Sequence, residues 1–369
     1  MTRMKFISIA TLLFFLTIPV IGQNPATYPK DTTLSLQEKT FETLWLTFED
    51  NYAFFKLRNI DWKDTYLKYR PTVTASTTDD ELFETFSKML APFQDNHINV
   101  IIPSKKQFKS TKPSTFMAEF PTDSLRNVFW TMVDHTLSKS GFGKLKYAGP
   151  EFNGKKLFGY ATSKKCAYLR FNRCFVAQEA DNKLDAEVAS QILDSVFTNF
   201  TNSPTLIIDV RDNIGGNDEF AYEVAGRFAE RKSVGMYKKS RKGGYEDFGE
   251  TETWYIEPKG NPSFLKPMIV LTNDKTVSAG DVFALIMKEL PKVKIIGENS
   301  RGIYSDMYGF ELPNKWLVSL SNQRYYNANM VCYEGSGTPV DIIVKNTRQD
   351  LLKMIDPVIL RALSVGGKK

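Results

Sequence analysis

Residues 205–218 read TLIIDVRDNIGGND. The short apolar run TLIIDV (205–210) has the pattern of a strand covered on both faces, as in parallel sheets flanked by helices. Two glycines, Gly215 and Gly216, close it, and DEFAYEVAGRFAE (218–230) continues as a helix. The same unit recurs along the chain. CAYLRF (166–171), MIVLT (268–272) and KVKIIG (292–297) read as further buried strands. LDAEVASQILDSVFTNF (184–200) puts Leu184, Val188, Ile192, Val196 and Phe200 near one helix face. A second helix runs from Ala279 to Leu290. Strands alternating with helices imply an α/β fold with a mostly parallel sheet and flanking helices. In such sheets ligands gather at the carboxyl ends of the strands, where the glycine pair lies. Adjacent glycines there allow positive φ and a close backbone approach. They serve either as a plain turn or as amides aimed at a developing oxyanion.

Upstream, residues 36–102 read as a helical N-terminal domain. In LQEKTFETLWLTFEDNYAFF (36–55), Phe41, Leu44, Trp45, Phe48, Tyr52 and Phe55 recur at helical spacing. STTDDELFETFSKMLAPFQDNH (76–97) opens with capping residues and early acids, and ends by delivering Asp95-Asn96-His97. Residues 103–156 form a connecting region with no complete PDZ pattern, although DSLRNVFWTMVDHTLSKS (123–140) is a helix carrying His135. The core spans 157–345, and QDLLKMIDPVILRAL (349–363) reads as a closing helix within 346–369.

The first 22 residues have the form of a cleavable signal peptide. Arg3 and Lys5 precede an apolar stretch from Phe6 to Ile21, shorter than the roughly 20 residues of a span, with a cut expected at Gln23. A linker covers 23–35, and a periplasmic or extracellular destination follows. The net charge of +6 is modest, and no arginine-and-aromatic face suggests nucleic acid. Three cysteines (Cys166, Cys174, Cys332) and two histidines leave no disulfide framework and no metal-ligand spacing, so neither metal nor cofactor is expected.

Two more stretches bear on chemistry. In TVSAGDVF (276–283), Ser278 stands just before a helix, where it is either a cap or a nucleophile. In CYEGSGTPVDI (332–342), Glu334 precedes two glycines and is either an exposed turn acid or a carboxylate that orients a histidine.

Taken together, LIIDVRDNIGGN, VLTNDKTVSAGDVFA, VKIIGENSRG and EGSGTPVDI resemble, in order and spacing, the tail-specific (C-terminal processing) serine peptidase superfamily. That resemblance implies a ClpP/crotonase-like core acting on peptide or protein substrates. The branch with a Ser-Lys dyad places lysine where this chain has Ile303, which cannot take a proton. FQDNHINVII (93–102) and the helical unit before it are instead similar to the branch of the tricorn core and interphotoreceptor retinoid-binding protein. That resemblance carries over Ser278 as nucleophile, His97 as general base and Glu334 as the acid behind it. Gly215 or Gly216 and Ala279 become the oxyanion hole, and Asn96 stands where a bridging serine is found, with Asp95 as a second orienting candidate. The retinoid-binding relatives add an alternative, an apolar-ligand-binding protein on the same scaffold, and an esterase is a third reading. Oligomeric state is not legible.

Overall fold

The computed structural model describes residues 24–176 and 182–366. The expected signal peptide at 1–22 and its cut at Gln23 lie outside the described residues. Three helices open the fold: α1 (Leu36–Asn51), α2 (Trp62–Tyr69) and α3 (Asp79–Leu90). α1 and α3 start on capping boxes, Ser35 with Glu38 and Thr78 with Glu81, in which side chain and backbone satisfy each other's orphan donors. A hairpin follows, β1 (Asn99–Ile102) and β2 (Lys106–Lys109), then α4 (Thr115–Glu119) and α5 (Asp123–Lys139).

The main sheet begins with β3 (Lys146–Phe152), β4 (Lys155–Thr162) and β5 (Ala167–Phe171). After α6 (Asn182–Phe197) come β6 (Leu206–Asp209), α7 (Asp218–Gly226) and an antiparallel pair, β7 (Ser233–Ser240) and β8 (Glu252–Ile256). β9 (Met268–Thr272), α8 (Ala279–Lys288) and β10 (Val293–Gly297) complete the alternation. The remainder comprises β11 (Met307–Glu311), β12 (Leu317–Ser321), β13 (Gln323–Tyr326), β14 (Ile342–Ile343), α9 (Arg348–Lys353) and α10 (Pro357–Gly366).

Seven strands pair in the order β14-β10-β9-β6-β5-β4-β3. From β14 to β5 the pairs are parallel, and β4 and β3 add antiparallel at one edge. Every residue of β6 and β9 is buried, because α6, α7 and α8 cover one face of the sheet and α5 and α10 the other. This is the mostly parallel α/β architecture expected from TLIIDV and its repeats. The N-terminal unit is helical up to β1, where it becomes part of a sheet.

Two features depart from the sequence reading. The single closing helix is two helices: Met354 takes φ 50° at the end of α9, and Pro357 starts α10 after Asp356. A residue before proline is driven out of the helical region, so the pattern breaks there. Residues 307–321 form two strands that the reading did not separate, and they complete a four-stranded sheet in the order β11-β12-β1-β2. The apolar cluster of the helical unit therefore includes Phe310, Leu312, Trp316, Val318 and Leu320 from late in the chain.

Candidate active site

Ser278 sits between β9 and α8 with φ 59° and ψ −126°, a backbone conformation that side chains rarely adopt. Its amide donates to the Ile303 carbonyl and to Asp281 Oδ2, each at 3.1 Å. Strain of this kind persists only where the surroundings enforce it. The enforcement comes from the glycine loop. Gly215 has φ 83°, and a Cβ placed on it would stand 2.5 Å from Ser278 Cβ and 3.1 Å from Ser278 Oγ. The glycine is needed both for its dihedral and for the space the serine occupies.

The amide of Gly215 is taken by Asn213 Oδ1 at 2.9 Å. Among the three backbone groups named from sequence, the Gly215 amide is thus engaged, while Ala279 stands at the first position of α8, where amides lack helical acceptors.

His97 comes from the other end of the chain, just before β1. Its amide donates to Asp95 Oδ1 at 2.9 Å, and its carbonyl accepts from Ser319 Oγ of β12 at 2.6 Å. Pairing of β1 with β12 sets it against the core. The imidazole is buried, with Nδ1 lacking any partner. Burial pushes its proton affinity below the ordinary value, Lys109 adds to this, and Asp95, Asp306 and a hydrogen bond to the Ser305 backbone pull the other way. The net shift favours the neutral ring, the form that accepts a proton.

Residues 301–305 tie these parts together. Ile303 receives the Ser278 amide, Ser305 meets His97, and the Tyr304 amide donates to Glu334 Oε2 at 2.9 Å. The amides of Gly302 and Ile303 donate to Asp281 at 2.9 and 3.0 Å. Ile303, in the place of a dyad lysine, is fully buried. This strap packs backbone against backbone on the Glu334 loop: a Cβ on Gly337 (φ 76°) would stand 1.9 Å from the Ser300 carbonyl oxygen.

Glu334 is buried, but its second oxygen is held by Arg58 Nη2 at 3.1 Å and not by the imidazole. Asn96 Oδ1 accepts from Arg301 Nη2 at 3.3 Å and does not link Glu334 to His97. The carboxylate acting most on His97 is Asp95, whose Oδ2 also receives the Tyr52 hydroxyl at 3.1 Å. His135 is exposed on α5. The sequence reading gives Arg58, Tyr52 and Ser319 no part in the site and treats Tyr52 only as an apolar position on a helix face; each reaches the site through long-range contacts.

The chain is similar in sequence and fold to known proteins. Residues 165–344 match the model of peptidase family S41, and residues 37–91 match that of the tricorn protease C1 domain. Just under half of the chain is thus similar to peptidase family S41. Ser278 and Glu334 fall inside the S41 match, and His97 lies just past the C1 match. A carboxyl-terminal-processing peptidase 1 of Arabidopsis thaliana, named as chloroplastic, is 26% identical over 137 residues, covering 37% of this chain and 26% of that protein. The chain thus spans about a quarter of that relative's length. A crystal structure of a putative peptidase from Parabacteroides merdae is 27% identical, with a TM-score of 0.74 over 91% of this chain and 98% of the other. The photosystem II D1 C-terminal processing protease has a TM-score of 0.52 at 13% identity over 91% and 98%, a likeness of fold alone. The S41-like region joins the C1-like helical unit through the pairing of β1 with β12.

Proposed function

We propose that the protein is a serine peptidase that cleaves polypeptides through an acyl-enzyme on Ser278, with His97 as general base. The observation that carries this reading is the strained Ser278 backbone, locked against Gly215 and hydrogen-bonded to the strap of residues 301–305, which also contacts His97. A serine hydroxyl is a weak nucleophile until a base takes its proton, and a buried neutral imidazole supplies that base. Ser278 Oγ attacks the scissile carbonyl while its proton passes to His97. The amides of Gly216 and Ala279 hold the oxyanion; losing one such donor typically costs about 10²–10³ in rate. Collapse breaks the C–N bond, and the departing amine takes the proton from His97. Water, deprotonated by the same imidazole, then hydrolyses the ester. Asp95, the carboxylate acting most on His97, supplies negative charge near the ring as it becomes cationic, while Glu334 is held by Arg58.

Residues 1–22 support export to a periplasmic or extracellular space, and no described helix is long and apolar enough to cross a membrane. N-terminal sequencing of the mature protein checks the cut at Gln23.

A fluorophosphonate probe tests the chemistry. Labelling is expected on Ser278 and is expected to vanish in Ser278→Ala and His97→Ala, together with casein hydrolysis. Labelling with ester turnover but no peptide turnover would replace the reading by an esterase. Stoichiometric uptake of a fatty acid without labelling would replace it by an apolar-ligand carrier.

A further inference from the structure

One buried side chain holds the glycine loop and the approach to Ser278 at the same time. Asn213 is fully buried between β6 and the glycine pair. Its Oδ1 accepts the Gly215 amide at 2.9 Å, and its Nδ2 donates to the Phe171 carbonyl, at the end of β5, at 3.3 Å. Its own carbonyl accepts the amide of Val277, the residue before Ser278, at 3.1 Å. The first turn of α8 packs on the same side chain: a Cβ on Gly280 would stand 2.9 Å from Asn213 Oδ1 and 3.2 Å from Asn213 Cβ. A Cβ on Gly215 would stand 2.8 Å from the Val277 carbonyl oxygen. The Val277 residue is therefore bonded to Asn213 through its amide and abuts Gly215 through its carbonyl.

Cys174 completes the cradle. Its amide donates to the Gly215 carbonyl at 2.7 Å, and its carbonyl accepts the Asn217 amide at 2.8 Å. Its thiol donates to Asn213 Oδ1 at 3.6 Å. Gly216, with φ 140°, lies between those two backbone bonds, and a Cβ on it would stand 2.5 Å from the Cys174 carbonyl oxygen. None of these bonds uses the Gly216 amide. An asparagine suits the centre of such a cradle because one planar group carries both an acceptor and donors. With its two ends tied to different elements in a buried setting, neither loop shifts without leaving a polar group unpaired. Oxyanion donors act by being in place before the reaction, and a displacement of about 1 Å costs on the order of 10²-fold in rate.

We propose that Asn213 is a positioning residue for this reaction: it ties the glycine loop to the Ser278 segment, so that the oxyanion donor and the nucleophile keep a fixed separation. This rests on the reading of Ser278 as nucleophile and the Gly216 amide as an oxyanion donor. Asn213 touches no reacting atom and acts through the two loops.

The test measures the limiting rate and the half-saturating concentration of fluorophosphonate labelling in Asn213→Ala and Asn213→Asp, with thermal unfolding beside them. In N213A the limiting rate is expected to fall on the order of 10²-fold at an unchanged half-saturating concentration, because the loss falls on the transition state. N213D carries a signature of its own. A protonated carboxyl offers the same donor and acceptor as the amide, whereas an ionised one has no donor for the Phe171 carbonyl and sets a negative charge near the oxyanion. The N213D rate divided by the parent's is therefore expected to rise as pH falls. The titration of His97 cancels in that ratio. The titratable side chain bonded to position 213 is Cys174, whose thiol burial holds well above its ordinary value. Arg211 and Asp212 before it and Asp281 beyond Gly280 are common to parent and variant. A purely structural role predicts a lower unfolding temperature with the parent's limiting rate in N213A and a flat ratio in N213D, and either result overturns the proposal. Should N213A fail to fold, the N213D ratio alone decides. Ser278→Ala separates the two levels. The parent's rate in N213A beside an inert S278A sinks only the role of Asn213, whereas labelling of S278A sinks the underlying reading.

Discussion

At Ser278 the conflict between local preference and function is sharpest. A side chain at φ 59° and ψ −126° costs of order 1–3 kcal/mol, and glycine would relieve it. Ser278→Gly is therefore expected to be inert yet more stable than Ser278→Ala by about 1 kcal/mol, measured as a difference in chemical-denaturation midpoints. Equal midpoints would show that the loop is not strained. His97 gives a second expectation at this scale. Its lowered proton affinity keeps the base form at neutral pH, so the acid limb of kcat/KM should fall below the ordinary imidazole value of about 6.5. The sign for stability follows from the same shift. The contribution of a neutral buried His97 is present above about 6.5 and is lost as pH falls through the lower folded value. A limb above that value would contradict the burial argument.

The strap of residues 301–305 decides how the separate parts meet. It has no regular secondary structure, yet it links α8, the His97 segment and the Glu334 loop. Asp281, in the first turn of α8, clips it there by accepting three amides, from Ser278, Gly302 and Ile303. Its carboxyl is pushed up to about 6 by burial, against the pull of those bonds. Asp281→Asn has one acceptor oxygen and leaves at least one of these amides without a partner. A loss of about 1–3 kcal/mol is expected, together with slower probe labelling because Ser278 is no longer fixed. Unchanged labelling in the destabilised protein would assign Asp281 to folding alone. The reach of the strap is not visible in GENSRGIY (297–304), where the notable fact is the absence of a lysine at Ile303. Its hydrogen bonds depend on tertiary approach and leave no period in the sequence.

For the whole molecule, the important feature is that neither unit is complete alone. β1 pairs with β12, which in turn pairs with β11, both strands found late in the chain, and Phe86 packs edge-on against Trp316 with ring centroids 6.0 Å apart. A fragment spanning residues 103–369 would expose Phe310, Trp316 and Val318, lacking the aromatic cluster that covers them. Such a fragment is expected to bind a hydrophobic dye, to aggregate and to resist probe labelling, while the full chain unfolds in one transition. A soluble, dye-silent fragment would show that the units fold independently. The chain's own sequence determined the element types, the buried parallel strands and the places of Ser278, His97 and the glycine pair. These are written in short-range periodicity and in residues whose chemistry has few uses. Only the tertiary structure decided that Glu334 is held by Arg58, that Asp95 lies closest in effect to His97, and that β12 anchors the histidine. Those contacts join residues up to 276 positions apart. A local pattern records which face of a strand or helix is buried, but not which distant side chain it is buried against.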